Sequence, residues 1–330
     1  MENQKVTARV WLKELRIGFL PVVILIMAAL PVPIMRALEL QLTAAVLLAI
    51  ACGAIAHIFW FWYGTILNDY YDQDIDRHHP FGEKMFTKGY FTDAQKKQVV
   101  LRFAILATVF EVPQGAYIAF THKNWLVDLV AFSVLIVLGF LAATAYSAPP
   151  VRTRNRLLGA TYTLMFVFVV AFLRFAILLG GWNFVLNNPY QVLAICAFIW
   201  LGHGISTVAL KDIPDAYSDQ KGGVRSIPLV HGFKFALNIT VATLAMTLGL
   251  GFYLVLIGWV QWWFLLTYVG VIVYMFLLRD TRKFVDNVTK DPGTWLTVPM
   301  RRTHHMLGYI MNWAVWIPGL MLAFNTAYLV

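Results

Sequence analysis

Asn68, Asp72 and Asp76 stand four residues apart in NDYYDQDID, and Asp212, Asp215 and Asp219 stand three and four apart in KDIPDAYSD. On an α-helix either spacing makes one stripe, drifting about 40° per four-residue step. Each stripe stacks oxygen ligands along a helix end. Carboxylates this close repel, so they must take up protons or find a compensating cation. A hard divalent ion is the natural compensation, Mg2+ above all, which prefers a carboxylate or two, waters and substrate phosphates to an all-protein cage. Two such stripes facing each other across a pocket would make a diphosphate site holding two ions. A solvated helix end explains either stripe alone, but a matched pair at helical spacing weighs against it. Asp69 and Asp74 fall off the first stripe and read as solvated.

The other half of such a site is basic. Arg77 follows the first stripe, and Arg152, Arg154 and Arg156 lie in YSAPPVRTRNR. Lys211 precedes the second stripe, with Lys221 and Arg225 after it. Arginine and lysine can hold the phosphate oxygens that a metal leaves uncovered. Loops of membrane proteins are basic anyway on one side, so each residue singly is also a topology marker. Lys211 and Arg225, nearest the second stripe, and Arg152, just after the two prolines, are favoured as diphosphate contacts.

What must position these residues is a membrane bundle. Of 330 residues 60% are hydrophobic and 13% charged, and mean hydropathy is +0.68. A soluble domain carries far more charge. Nine stretches reach the length of about 20 apolar residues that a transmembrane helix needs: 18–35, 43–67, 98–120, 126–146, 157–180, 190–210, 235–257, 262–279 and 307–328. The expectation is an all-α membrane protein with nine transmembrane helices in a single bundle, one polytopic domain over residues 1–330. The two acidic helix ends echo each other faintly, which suggests related halves of about 1–150 and 151–330.

Of the 26 Lys and Arg, 22 fall in the N-terminal segment and in the longer loops after the even-numbered spans. The positive-inside rule puts that side, and both acidic clusters with it, in the cytoplasm. The first apolar run follows a basic leader and is long enough to remain as the first helix. The net charge of +9 is spread over these loops, so nucleic-acid binding is not expected. Cys52 and Cys196 lie inside apolar runs and read as core residues.

Polar and aromatic residues inside the spans are candidates for a ligand pocket. Phe59, Trp60, Phe61, Trp62 and Tyr63 precede Asn68, and aromatic faces can stabilise a carbocation. Most read as packing, but Trp60 and Phe61 are nearest the Asn68 stripe. His57 shares that face three turns deeper. Glu111, Arg174 and His203 are also within spans, where an ionisable residue is a functional hypothesis by default. Arg174 either pairs with Glu111 or snorkels to the far interface.

These residues resemble the UbiA superfamily of intramembrane prenyltransferases. The signature NDxxDxxxD is met by Asn68, Asp69, Asp72 and Asp76, and KDxPDxxxD by Lys211, Asp212, Pro214, Asp215 and Asp219. The stretch from Tyr146 is similar to the family's Tyr-Ser-x-Pro-Pro-x-Arg, and GGVRSIPLVHG to its basic–Ser–Pro–Gly tail. In one place the chain departs: Lys84-Met85 stands where many members carry Arg-Pro, with Gly89 retained.

The resemblance implies two Mg2+ ions on the acidic stripes and a pocket that includes Tyr146. It implies an isoprenyl diphosphate as substrate. The acceptor would be a lipophilic, usually aromatic, quinone-type molecule or a glycerol lipid, and the setting membrane lipid. Some members cyclise the prenyl chain instead, and nothing in these residues excludes a terpene cyclase. A cation-coupled transporter is the alternative outside the family, but such sites sit near the bilayer midplane on broken helices rather than at helix ends beside basic loops.

Overall fold

Long apolar segments can satisfy their backbone inside a bilayer only as helices or closed barrels. Here they are helices. The protein is described by a computed structural model covering residues 11–12, 15–77, 85–156, 159–290 and 310–329. In chain order the helices are α1 (Leu20–Ala29), α2 (Val32–Ala37), α3 (Ala44–Tyr71), α4 (Gln73–Asp76), α5 (Asp93–Thr121) and α6 (Trp125–Ser147). They continue with α7 (Gly159–Asn187), α8 (Pro189–Lys221), α9 (Ile227–His231), α10 (Phe233–Leu256), α11 (Gly270–Lys290) and α12 (Ile317–Ala323). Among the described residues there is no strand, and one isolated bridge joins Val260 to Phe324.

Seven helical segments are long and apolar enough to cross a membrane: Ile17–Ala37, Ala44–Tyr71, Asp93–Thr121, Trp125–Ser147, Phe166–Asn187, Phe233–Leu256 and Trp262–Lys290. Two further apolar helices are shorter among the described residues, Pro189–Gly202 and Ile310–Ala323. Seven of the expected nine spans are thus matched by helices long and apolar enough to cross a membrane. The expected span 307–328 begins in 291–309, which lie outside the described residues.

Two helix ends depart from the hydropathy bounds. α5 begins at Asp93, five residues before its apolar run, because Thr92 and Gln95 form a capping box there. α11 runs on to Lys290 through a charged final turn.

The helices pack mostly with sequence neighbours: α3 against α5, α6 against α7, and α8 against both α7 and α10. Glycine permits two close approaches. A Cβ on Gly139 of α6 would overlap the Trp60 ring of α3, and one on Gly53 of α3 would meet Phe175 and Gln114. α7 is broken at Gly181, whose φ of 72° suits a residue without a side chain. There the Trp182 N–H donates to Asp128 Oδ1 at 2.7 Å, and His122 Nδ1 stands 2.9 Å from the other carboxylate oxygen.

One charged pair lies in the middle of this packing. Arg174 of α7 makes a close ion pair with Glu111 of α5. The Gln114 amide donates to Glu111 Oε2 at 2.7 Å, and its oxygen accepts from Arg174 at 3.3 Å. Glu111, Gln114 and Arg174 are 4%, 1% and 4% exposed. The guanidinium also lies 5.7 Å from the Trp60 ring and 5.6 Å from Phe132. Arg174 thus pairs inside the bundle instead of reaching for the interface, and its contacts involve α3, α5, α6 and α7.

Removing one partner of such a pair strands the other charge, at a cost of about 3–5 kcal/mol, whereas replacing both with neutral groups is often neutral. Arg174→Met alone is expected to lower the thermal unfolding temperature in detergent sharply. The double change Glu111→Gln with Arg174→Met is expected to regain most of the loss. A double variant no more stable than the single one would contradict this account.

Candidate active site

The first acidic stripe survives a break in its helix. α3 ends at Tyr71 and Asp72 is its C-cap, with φ −98° and ψ 13°, after which α4 continues to Asp76. The helical bonds persist across the break: Asp72 N–H to Asn68 O at 2.9 Å, and Asp76 N–H to Asp72 O at 2.8 Å. Asn68, Asp72 and Asp76 therefore stay in register. The second stripe occupies the last turns of α8, whose C-cap is Gly222. Both helix ends meet, since a Cβ on Gly222 would overlap Cγ1 of Ile75 in α4.

The carboxylates are buried. Asp72 is 0% exposed, Asp76 2%, Asp219 3% and Asp212 8%. Asp215 is half-buried. Buried carboxylates need paired charge, and the loop after α6 supplies it. Arg152 donates to Asp72 Oδ1 at 3.0 Å and to the Tyr71 carbonyl at 3.1 Å. Arg154 reaches further. Its Nη1 donates to Asn68 Oδ1 at 3.2 Å and closes on Asp72, while its Nη2 donates to Asp219 Oδ1 at 3.2 Å. One guanidinium thereby joins both stripes. Ser147 Oγ also donates to Asn68 Oδ1, at 3.3 Å.

Other expected site residues fall at varying distances from this centre. Arg77 is exposed and pairs with the exposed Asp74 at 3.9 Å. Lys221 and Arg225 are exposed at and just beyond the end of α8. Lys211 and His203 lie on α8, but their side chains fall outside the described residues, as does Lys84. Tyr146 is 9% exposed at the end of α6, one residue before Ser147.

Deeper along α3, Phe61 is half-buried. Phe140 packs at 4.1 Å on the Trp60 ring, which also meets Arg174, so that indole is engaged in packing. His57 is buried with its ring 5.6 Å from Phe168.

Asp69 corrects the sequence reading. It is not solvated but 3% exposed, and Arg16 stands 3.8 Å from it. Arg154 and Ser147 are the contacts that sequence reasoning did not single out. Three arginines at alternate positions look alike in sequence, and only the fold of the 152–155 turn decides that Arg154 bridges both stripes while Arg152 meets the first alone.

Among the described residues no three His, Cys, Asp or Glu side chains converge on one point. Arg154 lies between the carboxylates instead. The donor set is nonetheless all oxygen, mostly buried, and carried on two helix ends in contact, which suits a hard divalent ion.

Bundle and cluster together define a class: an integral, multi-pass helical membrane protein with a carboxylate–arginine centre where its helices end. Comparison with known proteins narrows it. The model of the UbiA prenyltransferase family matches residues 19–316, and the chain belongs to that family. A UbiA homologue from Archaeoglobus fulgidus bound to DMAPP and Mg2+ is similar in structure, with a TM-score of 0.56 at 21% identity over 94% of this chain and 97% of that one. The same homologue bound to GPP and Mg2+ gives 0.54 at 20% identity, over 93% and 99% of the two chains. A structure of digeranylgeranylglyceryl phosphate synthase gives 0.54 at 16% identity, over 98% and 99%. At these identities the likeness is one of fold. A search of curated protein sequences gives no match.

The contact between α8 and α4 is directly testable. Gly222 has φ −88°, which any residue adopts, so space alone excludes a side chain. Gly222→Ala is expected to destabilise by about 1–3 kcal/mol through overpacking. Ile75→Ala in the same chain is expected to relieve part of that, measured as thermal unfolding of the single and double variants. Equal stability of wild type and Gly222→Ala would overturn the close approach.

Proposed function

We propose that this protein is a Mg2+-dependent intramembrane prenyltransferase. It ionises an isoprenyl diphosphate and transfers the prenyl group to a lipophilic, aromatic quinone-type acceptor, releasing pyrophosphate. The observation that carries the reading is the meeting of two acidic motifs, far apart in sequence, with an arginine loop in one buried cluster. Family membership supports it independently.

In this reading Asn68, Asp72 and Asp76 hold one Mg2+ and Asp212, Asp215 and Asp219 the other. Bound there, Mg2+ supplies positive charge against the negative charge that builds on departing diphosphate. Arg152, Lys211, Lys221 and Arg225 bind the remaining phosphate oxygens, with Arg77 at the outer edge. The allylic C–O bond breaks, its electron pair leaves with the diphosphate, and an allylic cation remains. The bundle excludes water from that cation. Phe61 and Tyr146 offer it aromatic faces. An electron-rich carbon of the acceptor ring attacks, and the ring then loses a proton.

The prenyl tail runs inward along α3. Trp60 and His57 lie about 12 and 16 Å beyond Asn68 along the helix axis and bound the deep end of that path. The finer topology belongs to the same proposal. Residues 189–221 form one helix of 33 residues, about 50 Å long at the usual helical rise and ample for a bilayer. With Ile310–Ala323 it brings the seven candidate spans to nine, and the basic loops set the active site on the cytoplasmic side.

The test is pyrophosphate release by the purified protein in detergent. Geranyl, farnesyl and geranylgeranyl diphosphate are each supplied with Mg2+, with and without aromatic acceptors. Acceptor-dependent release is expected, and Asp72→Asn or Asp215→Asn should abolish it while leaving helix content intact. Full activity in either variant would remove the metal assignment. Release without acceptor, giving a cyclic hydrocarbon or alcohol, would make the protein a cyclase. Neither release nor binding of a prenyl diphosphate analogue would favour the transporter.

A further inference from the structure

Arg154 is in an unusual position for a residue that binds a diphosphate. Its guanidinium is turned toward protein carboxylates, touching Asn68, Asp72 and Asp219 at once. The side chain is 11% exposed, and its two carboxylate partners are 0% and 5%. Asn68 and Asp72 come from the first stripe and Asp219 from the second. The guanidinium therefore lies among oxygens that, in the reading above, hold the metal.

We propose that Arg154 is the internal counter-ion of this cluster and competes with divalent metal for it. When no metal is bound, Arg154 neutralises Asp72 and Asp219 and keeps the ends of α3, α4 and α8 together. Entry of a divalent ion displaces it, because one carboxylate oxygen cannot face both cations closely. Two features favour this over a purely structural tie. First, the oxygens it engages belong to the very residues spaced for ligation, while the neighbouring Arg152 already contributes a charge to Asp72 and to the Tyr71 carbonyl. Secondly, Arg154 sits on the short turn Thr153–Asn155, outside the long helices, so it can withdraw without moving them.

The proposal rests on the metal assignment above and makes a prediction of opposite sign to the simple one. If Arg154 merely orients the metal ligands, removing it weakens metal binding. If it competes, removing it strengthens metal binding. The experiment needs no substrate. Thermal unfolding of the detergent-solubilised protein is followed with EDTA and then across a Mg2+ titration, repeated with Mn2+, for wild type, Arg154→Gln, Arg154→Lys and Arg156→Gln.

Arg154→Gln is expected to unfold at lower temperature than wild type in EDTA and to close that gap as Mg2+ rises. Its Mg2+ midpoint should lie about tenfold below that of wild type, a modest part of what a unit charge at contact distance contributes in protein surroundings. Arg154→Lys keeps the charge but loses the planar fork, so its midpoint should fall between the two. Arg156 is exposed, and its variant should titrate like wild type.

An Arg154→Gln midpoint equal to or above that of wild type would overturn the proposal. An equal shift in Arg156→Gln would do the same, since overall charge would then be the cause. Should Arg154→Gln fail to fold, Arg154→Lys decides by the same criterion. If neither wild type nor any variant responds to Mg2+ or Mn2+, the metal reading itself falls and this proposal with it.

Discussion

Burial of like charge is the constraint from which the rest of this molecule can be understood. Asp72, Asp76, Asp212 and Asp219 are withdrawn from water where the helices end. Carboxylates in such surroundings must be matched by positive charge or they disrupt the fold. The chain meets this by folding the loop after α6 back over the end of α3, so that Arg152 and Arg154 enter the cluster. Positions of α3, α4, α6 and α8 relative to one another are tied to that electrostatic requirement. Gly222 admits the close contact of α8 with α4 that the arrangement demands.

A second charge pair, Glu111 with Arg174, obeys the same rule deep in the bundle. Here the solution is internal to the helices, with Gln114 filling hydrogen-bonding capacity and two aromatic rings covering the guanidinium. The two centres differ in exposure to change. One is held partly by a short turn, the other wholly by long helices packed on each other. That contrast fits the proposal that the carboxylate cluster, and not the Glu111–Arg174 core, is the ligand site.

Much of this was legible in the sequence. The acidic residues announce their stripes by spacing alone, and hydropathy finds each of the seven described spans, although the expected 157–180 and 262–279 stop well short of Asn187 and Lys290. Where hydropathy misplaced an end, as at Asp93, the missing signal was a capping box, which is read from residue types rather than from apolar character. Three features could not be read. The role of Arg154 over Arg152 and Arg156 depends on how a turn folds. Asp69 looks solvated by helical phase, yet it is buried with Arg16 from the N-terminal segment, a contact between segments distant in sequence. The faces of Trp60 depend on which residues of α6 and α7 arrive beside it. In each case the decisive neighbour comes from another element, and spacing along one helix carries no information about it.

The Glu111–Arg174 pair also has a consequence for how the chain is made. Their positions are 63 residues apart, so α5 enters the bilayer carrying its acid well before the arginine of α7 is synthesised. A lone ionisable side chain at mid-helix costs about 2.5–3.5 kcal/mol on insertion scales. Until α7 arrives, that cost is not offset by Arg174. The pair can form only once both helices are present, and it then ties α5 to α7 across 63 residues of chain.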